Sequence, residues 1–326
     1  MRVIQNERGL GVEALEAGEV GERFPILDRA LDEIVGATWS PRDGLVNPNA
    51  VRAWYRSEAE ALGVSFRNRH YVSGVSTRRT VGSHGSLRVV ASVDVIEVEQ
   101  GSVTDEAGWI REALTTHRVP SEARVDESRL ECDVVINCLG AWSPVFSAKI
   151  GITDVTEPVR RQISLVDVHA EDLAPGVELD SLGMIVDASG LYFHPEGPHI
   201  LAGYSTPNEA PGFDFDYDGV DFFEAEIWPR LAARASSFER CGHVRGWAGL
   251  YAVTPDCSGI AGQVAGFGNL FEAHSFTGRG VMQSYAVGCA MASLVATGAW
   301  EEVDLSALAR SRFRDPKDWV VEELHI

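Results

Sequence analysis

Hydrophobic and polar positions divide the chain into three textures. Residues 48–62 (PNAVRAWYRSEAEAL) place Val51, Trp54, Tyr55, Ala59 and Leu62 at helical spacing. Asn47 suits the N-cap, Pro48 the first helical position and Gly63 the stop, so a helix is predicted here. Residues 12–23 read as a short acidic helix or turn leading to Phe24-Pro25, and Val64-Ser65-Phe66 reads as strand-like. Residues 71–75 and 87–99 alternate apolar and polar side chains and predict strands. Residues 100–130 are polar, with a helix-like patch at 105–116, and read as an insertion or hairpin surround.

A different pattern begins at Cys132. The run Cys132–Gly140 (CDVVINCLG) is short, apolar and ends in glycine, as in a parallel strand buried on both faces. A helical segment from Trp142 follows, which makes a strand–turn–helix junction; in open α/β sheets, ligands sit at the carboxyl ends of such strands. From residue 158 the chain turns to many short strands: 160–168, 184–187, 190–194, 199–204 and 243–249, interrupted by one helical stretch at 219–235. These predict a mixed or antiparallel sheet, hence an α/β (mixed α+β) fold with a second domain. Gly278–Thr297 reads as a glycine-rich turn opening a long apolar helix, with Met282, Tyr285, Ala286, Cys289, Ala290, Ser293 and Leu294 at helical spacing.

Composition narrows the partners. The 326 residues hold 48 acidic and 28 basic side chains, a formal charge of −20, and Lys149 and Lys317 are the only lysines. With no basic stripe to neutralise phosphates, nucleic acid is excluded as an expected partner. The acidic, lysine-poor balance suits a high-salt cytoplasm and equally a GC-rich genome that encodes arginine over lysine. No stretch approaches a run of roughly 18 apolar residues, so no membrane span is expected. The first residues contain no apolar segment of a secretory signal, and a soluble, cytoplasmic protein is the expectation. Cys132, Cys138, Cys241, Cys257 and Cys289 show no C-x-x-C spacing; they read as small buried hydrophobes, and no metal site is expected.

Two glycine motifs invite different readings. Gly9-Leu10-Gly11-Val12-Glu13-Ala14 mimics a dinucleotide fingerprint but lacks the preceding buried strand, and Glu13 would face the pyrophosphate; it reads as a surface turn. His274-Ser275-Phe276-Thr277-Gly278-Arg279-Gly280-Val281-Met282-Gln283 instead places two glycines at the start of a long helix. Its backbone N–H groups and dipole suit an anion or electron-rich atom.

Several segments together resemble the D-amino-acid-oxidase-like flavoprotein superfamily, the glycine, sarcosine and dimethylglycine oxidising enzymes. Segment 132–143 (CDVVINCLGAWS) resembles the strand and turn where that family contacts FAD, and 44–63 is similar to its "G-hydrophobic-hydrophobic-x-P" stretch and following helix. Segment 274–283 resembles the flavin-edge helix start usually written G-F-S-G-H-G-F. The resemblance implies non-covalent FAD held by Val72, Cys138, Gly140, Ala141, Trp142, Gly278, Arg279, Gly280, Val281 and Met282. It also implies a partial FAD-binding domain over 1–156, a substrate domain over 157–248 and a return to the FAD-binding domain over 249–326. Tyr251 matches a position lining the cavity above the flavin. Tyr192 and His194, two apart on one strand face, join Tyr251 and Arg279 as catalytic-side candidates. Arg160 or Arg161 is a candidate carboxylate anchor or a solvated surface arginine, whereas Trp247 reads as sheet packing.

Departures from the family pattern qualify the expected chemistry. Arg279 replaces its usual histidine, Met282 stands where sarcosine-oxidising members carry a lysine, and Gly249 stands where they carry the flavin-linking cysteine. The family's opening strand–GxGxxG–helix unit is not in the sequence, so a chain cut short, a split enzyme or a degenerate homologue is expected. The resemblance implies hydride transfer from an amine or amino acid to flavin N5. The rival expectation is a non-catalytic scaffold or assembly subunit, or a half-enzyme whose partner chain supplies the dinucleotide-binding unit.

Overall fold

The computed structural model describes residues 2–82, 85–99, 109–207 and 209–322. Helix α1 (Arg2–Glu7) is followed by strand β1 (Glu13–Glu16), helix α2 (Ala17–Arg23) and strand β2 (Gly36–Trp39), which pairs antiparallel with β1. Residues 12–23 are thus a strand as well as an acidic helix.

Helix α3 (Pro48–Ala61) starts where its cap predicts: the Asn47 side chain accepts hydrogen bonds from the backbone N–H groups of Asn49 and Ala50. Gly63 ends it in the left-handed conformation (φ 91°), and Val64 N–H folds back onto the Ala59 carbonyl. That closure occupies Val64, and Val64–Phe66 forms no strand. The apolar positions of α3 lie at helical spacing, yet no α3 residue is buried and Trp54 is 59% exposed.

Strands β3 (His70–Gly82) and β4 (Gly85–Val98), then helix α4 (Trp109–Thr116) and strand β5 (Arg124–Glu131), build an antiparallel meander in the order β3-β4-β5. Residues 105–108 of the expected helical patch lie outside the described residues. Strand β6 (Val135–Asn137) leads through a Gly140–Trp142 turn into helix α5 (Ser143–Lys149).

Strands β7 (Glu157–Asp167), β8 (Ile185–Val186), β9 (Leu191–Glu196) and β10 (His199–Tyr204) come next. Helix α6 (Val220–Phe222) joins helix α7 (Trp228–Arg234) through a π-helical turn at Phe223–Ile227, next to Pro229, whose missing amide hydrogen cannot serve a regular α-helix. Strands β11 (Gly242–Val253), β12 (Ile260–Gln263) and β13 (Leu270–His274) and helix α8 (Gly280–Thr297) complete the set.

The expected antiparallel sheet is present, in the order β11-β7-β10-β9-β8. One of its faces buries Val166, Leu191, Phe193 and Ile200 against Phe222, Ile227, Leu231 and Phe238 of the α6–α7 region. A smaller sheet, β12-β13-β6, pairs β6 parallel to β13 and leaves β6 at the edge. The apolar run around β6 was expected to be buried on both faces. Its second edge has no neighbour among the described residues, and Val134, Ile136 and Leu139 are exposed.

Helix α8 packs Val287, Ala290 and Met291 inward, with Ala261 and Phe271 of β12 and β13 among their neighbours. Its outer side leaves Met282 74% and Tyr285 70% exposed. By length and composition alone, α8 is long and apolar enough to cross a membrane, with a mean hydropathy of 1.2 over 18 residues. This qualifies the absence of a span expected from the sequence.

Open parallel-sheet edges and uncovered apolar faces drive association. The isolated chain is therefore expected to form oligomers or aggregates in light scattering. A monodisperse, thermally stable monomer would contradict this reading of the β6 edge.

Candidate active site at the start of helix α8

Strand β13 ends in a strained turn. Ser275 (φ 64°) and Thr277 (φ 47°) both adopt the left-handed conformation that non-glycine residues avoid, and Gly278 follows at φ 81°. The surroundings hold the turn in place. Ser275 Oγ hydrogen-bonds Thr156 Oγ1 (2.8 Å) and His274 Nδ1 (2.7 Å), and Thr277 N–H donates to the Ala252 carbonyl of β11 (3.3 Å).

A β-carbon on Gly278 would lie 2.5 Å from the Tyr251 ring, so the tyrosine rests directly on this glycine. Gly278→Ala combines that clash with an unfavourable φ. It is expected to cost about 1–3 kcal/mol, read as a lower melting temperature with a changed near-ultraviolet tyrosine signal.

Three strands of the antiparallel sheet converge beside this turn. Tyr192 comes from β9, Tyr251 from β11 and Arg161 from β7. Tyr192 opposes Gly203 across the β9–β10 pair, and a β-carbon on Gly203 would sit 2.3 Å from the Tyr192 ring. The glycine therefore makes room for the tyrosine to lie over the sheet.

The Tyr192 and Tyr251 hydroxyls bear on each other, and burial raises the pKa of both, so both stay protonated near neutral pH. The Arg161 guanidinium carbon lies 5.5 Å from the centroid of the Tyr251 ring. Arg161 Nη1 donates to the Arg160 carbonyl (3.0 Å), while its Nε is buried with no hydrogen-bond partner among the described residues. Burial pulls its pKa down, opposed by Tyr251 and Glu209.

The structure separates the two candidate anchors. Arg160 is tied to Glu209 (2.8 Å) and Asp218 (3.0 Å), so it is neither a free anchor nor a solvated side chain. Arg161 faces Gly249 across the β7–β11 pair, and no atom would meet a β-carbon there within 4 Å. Space is thus open over Gly249, on the strand neighbouring Arg161.

Arg279 turns its guanidinium back to the Cys257 carbonyl, and its charge bears on Tyr251. Its side chain does not cap α8. The helix start therefore presents its backbone N–H groups beside the exposed Val281 and Met282.

The remaining candidates fall around this cluster. His194 shares a strand face with Tyr192, as its spacing predicts, but its Nδ1 pairs with the Pro195 carbonyl (2.8 Å). In the Gly140–Trp142 turn, Gly140 has φ 53°, Ala141 is buried and Cys138 is exposed just before it. The Trp142 ring stacks on Phe215 and donates from Nε1 to the Leu114 carbonyl (3.0 Å). Val72 packs into the core beneath α5 with Val90 and Phe146. Trp247 was read as sheet packing, yet it is 43% exposed with Arg245 across its ring.

A buried ionic lock beneath the turn escaped sequence reasoning. Arg310 binds Glu272 of β13 (2.9 Å) and Asp154 (3.0 Å), and Glu272 Oε2 lies 3.4 Å from His274 Nε2. Arg312 forms a second pair with Asp256 (2.7 Å), in the turn that also carries Cys257. The alternation of Glu272 and His274 within the apolar strand Leu270–His274 was a visible signal, but their arginine partner is remote in sequence.

Comparison with known proteins places this geometry. A family model described as FAD dependent oxidoreductase matches residues 1–294. The chain belongs to this family. It is similar to FAD-dependent oxidoreductase domain-containing protein 1 of Xenopus laevis, 31% identical over 242 residues, covering 65% of this chain and 47% of that protein. The Mus musculus protein of the same name is 25% identical over 333 residues, covering 95% and 61%. The chain thus spans about half the length of the curated relatives it matches. Among solved structures, L-proline dehydrogenase from P. horikoshii superposes with a TM-score of 0.71 at 20% identity, covering 95% of this chain and 71% of that one. Glycine oxidase from Geobacillus kaustophilus gives 0.65 at 20% identity, covering 94% and 68%. At these identities the likeness shows the fold.

The described residues fit the flavin half of FAD. The exposed helix start after Gly278, beginning at Gly280, and the positive-φ Gly140 turn offer backbone that no side chain covers closely. They offer no comparable fit to the ADP half. Gly9–Ala14 runs from the turn after helix α1 into the first residues of strand β1, not after a buried strand.

Proposed function

We propose that this chain carries the substrate side and flavin edge of an FAD-dependent oxidoreductase that oxidises the C–N bond of an amine or N-methyl amino acid bearing a carboxylate. The half-buried Arg161, whose buried Nε has no hydrogen-bond partner among the described residues, lies beside Tyr192 and Tyr251 next to the Gly278 turn and carries this reading. Bound FAD supplies the hydride acceptor. The substrate loses a hydride from the carbon next to nitrogen and a proton from nitrogen, and water hydrolyses the resulting imine.

The chain's own residues bind and orient. Arg161 takes the carboxylate through charge-assisted hydrogen bonds. The two protonated tyrosines flank Arg161 and have hydroxyl groups to offer the substrate. Tyr251, seated on Gly278, fixes the spacing between the anchor and the start of α8. The α8 N–H groups favour negative charge developing at their end.

FAD binding on this reading also needs a dinucleotide-binding strand–turn–helix, on the same polypeptide or a partner chain, paired to the open edge of β6. The exposed Ile136, Leu139, Met282 and Tyr285 support that complement. The rival reading, a scaffold or assembly subunit without turnover, shares this requirement for a partner. Titration with FAD separates them. Oxidised-flavin bands at near-unit stoichiometry, once the complement is supplied, are expected of the oxidoreductase. A protein that stays colourless under those conditions contradicts it.

A further inference from the structure

Away from the α8 turn, strands β3 and β4, helix α4, the segment 117–124 and the end of helix α5 line an open pocket of about 360 Å³. Its lining runs against the chain's charge. In a protein with 48 acidic and 28 basic residues, His117, Arg118, Arg124 and Lys149 line it, with Glu112 as the one carboxylate among the described residues.

The inner wall is built by fixed groups. His117 adopts the left-handed conformation (φ 60°), its carbonyl accepts the Tyr71 hydroxyl (2.5 Å) and its ring sits edge-on to Phe213 with centroids 4.4 Å apart. Its Nδ1 is nevertheless buried with no hydrogen-bond partner among the described residues. Lys149 Nζ donates to the Ser73 carbonyl (3.1 Å) and lies 6.0 Å from the Tyr71 ring centroid. An ammonium has three donors, and a neutral carbonyl does not balance its charge. Burial, and then the Lys149 charge, push the His117 pKa down and favour the neutral imidazole. Arg124 holds the Val119 carbonyl and Glu127, and Arg118 is exposed at the mouth.

We infer that this pocket binds a small anion, a phosphate or a carboxylate group, seated between Lys149 and His117. The anion answers both groups at once: it neutralises the ammonium and accepts from the buried imidazole nitrogen when that carries hydrogen. The pocket is separate from the proposed cofactor contact on the same strand. Tyr71 packs with Ile96 on the α4 side of the meander, whereas Val72 packs with Phe146 on the other.

Calorimetric titration of the full chain at low ionic strength tests the assignment. Inorganic phosphate and succinate are the probes, and sodium chloride at matched ionic strength is the reference. At least one probe is expected to bind saturably; phosphate alone assigns a phosphoryl ligand and succinate alone a carboxylate. Lys149→Met is expected to weaken that probe by about tenfold or more, while Lys149→Arg retains it. His117→Gln carries the same expectation should Lys149→Met melt early. The assignment fails if neither probe differs from chloride or the variants bind as the parent does. Displacement of the bound probe by FAD would also overturn it, because the pocket would then belong to the cofactor.

Discussion

Arg312→Met is expected to destabilise the chain by about 3–5 kcal/mol, seen as a drop of many degrees in melting temperature. Arg312 and Asp256 form a buried pair with side chains 3% and 0% exposed. Asp256 also accepts from Thr254 Oγ1, Ser258 N–H and Val320 N–H, so removing the arginine leaves a fixed, uncompensated carboxylate. A double variant, Arg312→Met with Asp256→Leu, removes both charges and should recover part of the loss. A single variant within about 0.5 kcal/mol of the parent would show that the pair contributes little.

The same ionic groups set the acid response. Arg312 and nearby hydrogen-bond donors hold the Asp256 carboxyl below its ordinary value of 3.8, against burial, which acts to raise it; Arg310 and His274 do so for Asp154. Glu272 is likewise held below 4.5 by His274 and Arg310, again against burial. Groups with depressed folded pKa values stabilise fully above the unfolded values and lose that contribution as pH falls through the folded ones. Stability should therefore decline as pH drops below about 4. Arg312→Met, which lets Asp256 return toward its ordinary value, should flatten that decline.

Arg161→Met is expected to raise KM for an amino-acid substrate by about 100-fold with a smaller effect on kcat. Arg161→Lys should recover only part, because an ammonium lacks the planar fork that pairs with a carboxylate. An amide substrate, with no carboxylate to lose, should be nearly indifferent to Arg161→Met. Equal losses for acid and amide would place Arg161 in a structural role instead.

What was legible in the sequence was local. The Asn47 cap, the Gly63 stop and the glycine start of α8 are set by neighbouring residues and hold in the structure. The common face of Tyr192 and His194 follows from strand periodicity alone. The partnership of Tyr192 with Tyr251 and Arg161 depends on the register of four strands and on Gly203 and Gly278, which no periodicity encodes. The Arg310–Glu272 and Arg312–Asp256 pairs join positions far apart in sequence. Apolar spacing on α3 and around β6 identified those elements but not their burial, because burial requires a second surface that the described residues do not provide.

Anaerobic mixing of the FAD-loaded, complemented protein with amino acids and their amides, followed by the loss of oxidised-flavin absorbance, tests the central claim most directly. The account predicts reduction by a carboxylate-bearing amine, much slower reduction by its amide, and loss of that preference in Arg161→Met. Flavin that is bound yet not reduced by any amine, or reduced equally by acid and amide, would contradict it.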